Sequence, residues 1–162
     1  MMRKNILALL ESDAKLPPSQ IAVYLGVSEA DVQAEIAKME KEGVICGYGA
    51  FINWEIVDGD HLTALIEVKV TPSRGKGFSR IAERIYRFNE VKAVYLMSGA
   101  YDLAVIIEAK SLNEIAGFVT DKLSTLESVL STATHFVLKK YKDHGVILHK
   151  RSETDGRMIV TP

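Results

Sequence analysis

The amino-acid sequence predicts an α+β chain in two parts, an N-terminal winged helix-turn-helix over residues 1–53 and a C-terminal ferredoxin-like βαββαβ sandwich over residues 62–142. Three observations carry that expectation. Helical apolar spacing breaks at Gly26 and resumes after Ser28, the period changes from helical to alternating at Leu62, and strand and helix patterns then follow in the order β-α-β-β-α-β.

Ile6, Leu7, Leu9 and Leu10 mark a first helix from about Arg3 to Ser12. Pro17 and Pro18 stop its continuation, and a proline is tolerated in the first turn of a second helix, about Pro18 to Leu25. Gly26 can take the positive φ that ends this helix and turns the chain. Ser28 is suited to cap a third helix, about Glu29 to Glu42, with Glu29 and Asp31 in the first turn where the helix dipole favours negative charge. Val32, Ile36 and Met39 form one apolar stripe, leaving Gln33, Ala34, Lys38 and Lys41 outward. Two short helices joined by a glycine turn make a DNA-binding unit whose second helix is available to a major groove. After Gly43, Val44-Ile45 and Ala50-Phe51-Ile52 flank Cys46-Gly47-Tyr48-Gly49 as a hairpin wing, and residues 54–61 read as a linker with turn chemistry at Val57-Asp58-Gly59-Asp60.

In the second part, Leu62, Ala64, Ile66, Val68 and Val70 alternate along a strand that Pro72 ends, and Ser73 to Gly77 is a loop. A helix from about Phe78 to Phe88 carries Ile81, Ile85 and Phe88 on one face. Strands follow at about Val91 to Met97 and Asp102 to Ala109, separated by a turn over Ser98 to Tyr101. Ser111 can cap a helix bearing Leu112, Ile115, Ala116, Val119 and Leu123, and a fourth strand spans about Ser128 to Tyr141. Neither parity of the middle strands is plainly polar, which predicts a partner for the sheet face that the two helices leave open, most simply a second copy. The linker or tail covering that face is the alternative. The tail, residues 143–162, has Val146-Ile147-Leu148 and Met158-Ile159-Val160 around a polar stretch and reads as a further hairpin.

At 162 residues the chain is long enough to bury a real core. No apolar run reaches membrane-spanning length, and no cleavage-site pattern follows the short apolar stretch after Arg3 and Lys4, so a soluble cytoplasmic protein is expected. The single Cys46 cannot form an internal disulfide. A net charge of −1 excludes binding to nucleic acid by bulk electrostatics. Residues 1–55 carry five basic and eight acidic groups while residues 56–142 carry twelve basic and ten acidic, so the helix-turn-helix half is the acidic one.

Gly26-Val-Ser28 before the third helix, Gly43-Val44-Ile45-Cys-Gly47-Tyr48-Gly-Ala50 after it, and Ser98-Gly99-Ala-Tyr101-Asp102 between the middle strands together resemble the Lrp/AsnC family of feast/famine transcription regulators. The resemblance covers about Arg3 to Lys142. It implies a winged helix-turn-helix, a ferredoxin-like ligand-sensing domain that builds homodimers and often rings of several dimers, and effectors that are amino acids or related metabolites. One departure stands out. Family members commonly carry a basic residue in a Val-x-x-Arg-Ile context, where this chain has Val32-Gln-Ala-Glu35-Ile36.

Acidic groups on a docking face subtract from phosphate neutralisation, the main source of DNA affinity. Arg3, Lys4, Lys38 and Lys41 are the candidate phosphate contacts, and Ser28, Gln33 and Ala34 the candidates to face bases. A metabolite-binding oligomer with weak or lost DNA binding is therefore the alternative to a regulator.

For the effector, Gly99 permits a backbone in which N–H groups around Ser98, Ala100 and Tyr101 hold a carboxylate, Asp102 accepts from an ammonium, and Tyr101 walls the pocket. By resemblance the ligand lies between dimers near this turn and near Thr132 and Thr134 of the fourth strand. Simple hairpin chemistry, with Asp102 bonded to backbone, is the competing reading. His61, His135, His144 and His149 lack zinc-site spacing, Ser73-Arg-Gly-Lys76-Gly77 lacks the full phosphate-loop pattern, and no nucleophile motif is present, so neither a metal, a cofactor nor enzymatic activity is expected.

Overall fold

The computed structural model describes residues 1–57, 59, 61–72 and 77–148. It divides into two compact units, Met1–Phe51 and Ile52–Pro162. In the first, α1 (Met2–Ser12), α2 (Pro18–Leu25) and α3 (Glu29–Lys41) bury Ile6, Ile21, Ala22, Val32 and Met39 against one another. Gly26 ends α2 in the left-handed region at φ 66°, and Val27 N–H donates back to Ala22 C=O at 3.1 Å.

The expected wing does not form a strand ladder. Gly43, at φ 71°, closes α3, and the N–H groups of Val44 and Ile45 turn back to Met39 C=O at 2.9 and 3.2 Å. Val44 and Ile45 are thus drawn into the helix end, and Ile45 packs on the three-helix core. What is left for the outgoing arm of a hairpin is too short, and too rich in glycine, to pair without a further strand.

The second unit begins with one helical turn, α4 (Trp54–Val57), inside the segment expected to be plain linker. The sheet follows: β1 (Leu62–Val70), β2 (Val91–Leu96), β3 (Leu103–Ala109) and β4 (Val129–Phe136), all antiparallel in the order β2-β3-β1-β4. Between β1 and β2 lies α5 (Ser79–Tyr86); between β3 and β4 lies α6 (Leu112–Gly117), capped by Ser111 and continued by a π-helical turn, Phe118–Leu123. The i to i+5 bonding of that turn brings Phe118 and Leu123 onto one side, where both are buried. Phe118 meets Phe88 edge-on, ring centroids 5.6 Å apart.

Ala64, Ile66, Val68, Leu103, Val105 and Ile107 face these helices and form the core with Ile81, Ile85 and Ile115. On the other face, Leu65, Ala104, Ile106 and Tyr95 are interspersed with His135–Glu67 and His61–Glu108 pairs at 3.3 and 3.6 Å.

β4 stops at Phe136 rather than near Tyr141. Its neighbour β1 begins at Leu62, so Val137 N–H to Thr63 C=O at 2.9 Å is the last bond available. The chain then forms a small hairpin, β5 (Lys142–Asp143) with β6 (Val146–Ile147), around His144 and Gly145 at φ 44° and 82°. Val146-Ile147 thus pairs upstream; the second arm expected for the tail hairpin, Met158-Ile159-Val160, lies outside the described residues, as do His149, the Ser73–Lys76 loop, Asp58 and Asp60. Among the described residues no helix is long and apolar enough to cross a membrane.

Replacing the fully buried Ile85 by alanine should cost about 2–5 kcal/mol of unfolding free energy in urea titrations. A loss below about 1 kcal/mol would show that α5 is not packed on the sheet as described.

Candidate nucleic-acid interface and ligand site

Ser28 caps α3: its hydroxyl accepts from Asp31 N–H at 3.1 Å and donates to the Asp31 carboxylate at 2.6 Å. That hydroxyl is engaged within the cap, so it is not free to read a base. Gln33, Ala34, Lys38 and Lys41 are exposed along the outer side of α3, with Gln33 Nε2 donating to Glu29 one turn earlier at 3.0 Å.

The electrostatics differ from the charge count. Glu35, in the position expected to repel DNA, is half-buried and turned toward α1, where its carboxylate stands 3.4 Å from Arg3 Nε. Arg3 also forms a close ion pair with Glu42. That hydrogen bond holds the Glu42 carboxyl below its usual range and raises the Arg3 guanidinium. Glu40 accepts from Tyr48 Oη at 2.8 Å, and burial followed by that bond pushes the Tyr48 phenol up. Glu29, Asp31, Glu35, Glu40 and Glu42, all the carboxylates from Glu29 to Glu42, therefore have partners within their own unit. Arg3 is thereby withdrawn from the candidate phosphate contacts. Lys4, Lys38 and Lys41 are exposed and make no ion pair among the described residues.

The turn between β2 and β3 is less open than expected. Asp102 N–H donates to Val68 C=O at 3.1 Å, and its carboxylate accepts from Val70 N–H at 2.9 Å. Because β3 begins only at Leu103, Val70 N–H has no ladder partner on that side, and the Asp102 side chain supplies one. The register of β1 against β4 shifts at this same point, between Lys69 and Val70. Asp102 is thus a backbone clamp with one oxygen committed, close to the hairpin reading. Gly99 is not in the left-handed region and has open space around it.

Ser98, Gly99 and Ala100 are exposed and Tyr101 is half-buried. Thr132 and Thr134 lie opposite Val68 and Ile66 on β4. With β1 between them, Asp102 and Thr132 are about 10 Å apart, two strand spacings, so one protomer does not bring the two halves of the expected site together.

Two clefts of the second unit escaped sequence reading. One, about 190 Å³, is lined by Asn53, Trp54, His61, Val137, Leu138 and Lys140 among others, with Trp54 stacked on His61 at 4.7 Å and Asn53 bonded to Leu148 C=O at 3.0 Å. The other, about 180 Å³, is lined by Arg80, Ile81, Arg84, Glu127 and Ser128. The Arg80-x-x-x-Arg84 spacing on the polar side of an amphipathic helix was its signal. Among the described residues no group of three or more potential metal ligands comes together.

A three-helix DNA-binding unit joined to a four-stranded α+β domain is the build of a DNA-binding transcription regulator with a ligand-binding domain. Residues 2–45 match the family model for winged helix-turn-helix DNA-binding, and residues 63–147 that for the Lrp/AsnC ligand binding domain. The chain belongs to the Lrp/AsnC family, whose members are transcription regulators and not enzymes. It is 51% identical over 159 residues to YugG, an uncharacterized HTH-type transcriptional regulator of Bacillus subtilis, covering 98% of this chain and 95% of that one. It is 31% identical over 140 residues to the HTH-type transcriptional regulator FL11 of Pyrococcus furiosus, covering 86% and 89%. Two solved structures share the fold. Escherichia coli AsnC has a TM-score of 0.65 at 20% identity, covering 86% and 91%, and the NMB0573/L-Met complex of Neisseria meningitidis has 0.70 at 22%, covering 88% and 91%.

Asp102→Ala should destabilise the second unit by about 1–3 kcal/mol, because Val70 N–H loses its partner; unchanged urea unfolding would contradict the clamp. Glu42 has a depressed folded pKa, so its stabilisation is present above the ordinary carboxylate value and is lost as pH falls through the lowered one. Glu42→Gln should therefore lower the melting temperature at pH 7, with the gap closing below about pH 4.

Proposed function

We propose that this chain is an oligomeric, cytoplasmic regulator whose second domain senses an amino acid or a related small metabolite and thereby shifts the spacing or assembly of its helix-turn-helix modules. The observation that carries the DNA side is that Glu35, in the position expected to repel DNA, is turned back to Arg3 of α1, while Gln33, Ala34, Lys38 and Lys41 lie outward on a capped helix. This favours retained DNA binding over the metabolite-binding oligomer that the acidic count suggested. Lys4, Lys38 and Lys41 are assigned to phosphates, and Gln33 and Ala34 to base edges. Avidity between modules of one particle adds affinity that a single module lacks.

The amino-acid reading draws support from the structural neighbour solved with L-Met, whose fold this chain shares. Oligomerisation is supported by the half-apolar sheet face around Leu65, Ile106 and Tyr95, for which a second copy meeting it face to face is the simplest cover. The effector would then contact the Ser98–Asp102 turn of one copy and Thr132 or Thr134 of another, which fits their separation within one chain. Coupling requires that the ligand favour one assembly over another.

Mobility-shift titrations with the protein's own upstream DNA at several salt concentrations test the first part. Binding should be sequence-preferring and salt-sensitive, and Lys38→Ala should reduce the salt slope by about one. No binding to any upstream fragment at low salt would return the reading to the metabolite-binding alternative. Sedimentation should show a dimer or larger particle that Ile106→Glu dissociates, and a wild-type monomer would overturn the assembly claim.

A further inference from the structure

We infer that Asn53 and Trp54 are positioning residues of a clasp by which the second unit holds the segment leading from the helix-turn-helix, so that this segment serves as a short link and not as a loose tether. The inference rests on the reading that one particle carries several helix-turn-helix modules, and it adds to that reading what keeps each link short.

The segment enters the second unit through α4, a single helical turn. None of its four residues is buried, and Ile56 and Val57 are 80% and 64% exposed. One turn has little stability of its own, because fixing its dihedrals costs more than its few hydrogen bonds return. Here those bonds are Ile56 N–H to Asn53 C=O at 3.2 Å and Gly59 N–H to Trp54 C=O at 3.4 Å. Apolar burial of Ile56 and Val57 does not hold the turn either, so its place is set from its N-terminal end.

Two contacts do this. Trp54 lies nearly parallel to the His61 ring, at 11° with centroids 4.7 Å apart. His61 stands 3.6 Å from one oxygen of Glu108 on β3, and Lys140 stands 3.4 Å from the other. Asn53 Nδ2 donates to Leu148 C=O at 3.0 Å, and Leu148 N–H donates to Tyr141 C=O at 3.0 Å across the β5–β6 hairpin. Trp54 is thus tied to the sheet, and Asn53 to a hairpin 95 residues further along the chain.

Between these arms a cleft of about 190 Å³ stays open, walled in part by Leu62, Val137 and Leu138. The clasp is bridged by side chains and is not packed solid. Asn53, Trp54, His61 and Leu148 all lie outside the buried core, so the clasp can release without unfolding the domain. Release has a definite consequence. The effective concentration of one module for a second DNA site falls as its tether lengthens, and opening the clasp adds the stretch from Asn53 to His61 to the tether.

The test uses the full chain. Trp54 is its one tryptophan, so acrylamide quenching of the fluorescence reports the clasp directly. Cleavage after exposed Glu55 by a glutamate-specific protease, read from fragment masses, reports its opening. Asn53→Ala should raise both the quenching and the cleavage rate, the latter about 2- to 10-fold. Trp54→Ala should raise cleavage likewise, whereas Trp54→Phe, which keeps a ring on His61, should stay close to wild type. Melting temperatures should not change, because the core is untouched. In mobility shifts both alanine variants should bind the full upstream fragment at least about tenfold more weakly, with affinity unchanged for the shortest upstream fragment that the wild type still binds. Unchanged quenching in Asn53→Ala and unchanged cleavage in both alanine variants would overturn the clasp. Raised cleavage with full-fragment affinity intact, or an equal loss on both fragments, would overturn its role in linking modules. A wild type that binds both fragments equally, or that sediments as a monomer, would overturn the multi-module reading and this role with it, while the quenching and cleavage results would still decide the clasp itself.

Discussion

The four-stranded sheet has two faces and the chain supplies helices for one. Ala64, Ile66 and Val68 of β1, with Leu103, Val105 and Ile107 of β3, are covered by α5, α6 and the turn that continues it. β1 is the strand on which the domain is organised. It pairs with β3 on one side and β4 on the other, and its C-terminal end is tied by Asp102 at Val70 and by Ser128 at Thr71. A sheet covered on one face either alternates cleanly to a polar outside or meets another surface. This sheet does neither alone, because Leu65, Ala104 and Ile106 share the outer face with paired histidines and glutamates.

In the helix-turn-helix unit the governing interaction is the arginine of α1 reaching two carboxylates of α3. A net charge counts groups without regard to where they point, and here the count misleads. Glu35 and Glu42 serve to bind one helix to another, Asp31 completes a cap, and Glu40 receives a tyrosine hydroxyl. An ion pair projects less field than its members alone, so Glu35 and Glu42 weigh less on the docking face, whereas Glu29, Asp31 and Glu40, bonded to neutral groups, keep their charge.

Much of this was legible in the sequence, and the reasons are local. Gly26, Ser28 and Gly43 punctuate the helices because their backbone and capping chemistry depends on near neighbours. The alternation from Leu62 to Val70 announces a strand because one face is buried. What was hidden depends on partners distant in the chain. The end of β4 is set by where β1 starts, some 70 residues earlier. The clamp that Asp102 makes was hidden because the N–H it holds, at Val70, is 32 residues away. The wing segment forms no strand ladder because Val44 and Ile45 bond back to Met39, which strand propensity does not register. The arginine cleft went unread because Glu127 and Ser128 approach α5 only once the sheet has closed.

The wide turn at Phe118–Leu123 has a bearing on how chains of this architecture can change length. A helical stretch that accommodates one extra residue as a local bulge keeps its two ends in place while absorbing an insertion. Deleting a single residue there would tighten the coil to ordinary pitch and rotate Leu123 relative to Phe118, yet the downstream strand could keep its register. The wide turn thus lets the helix layer carry one residue more than ordinary pitch while Phe118 and Leu123 both stay in the core.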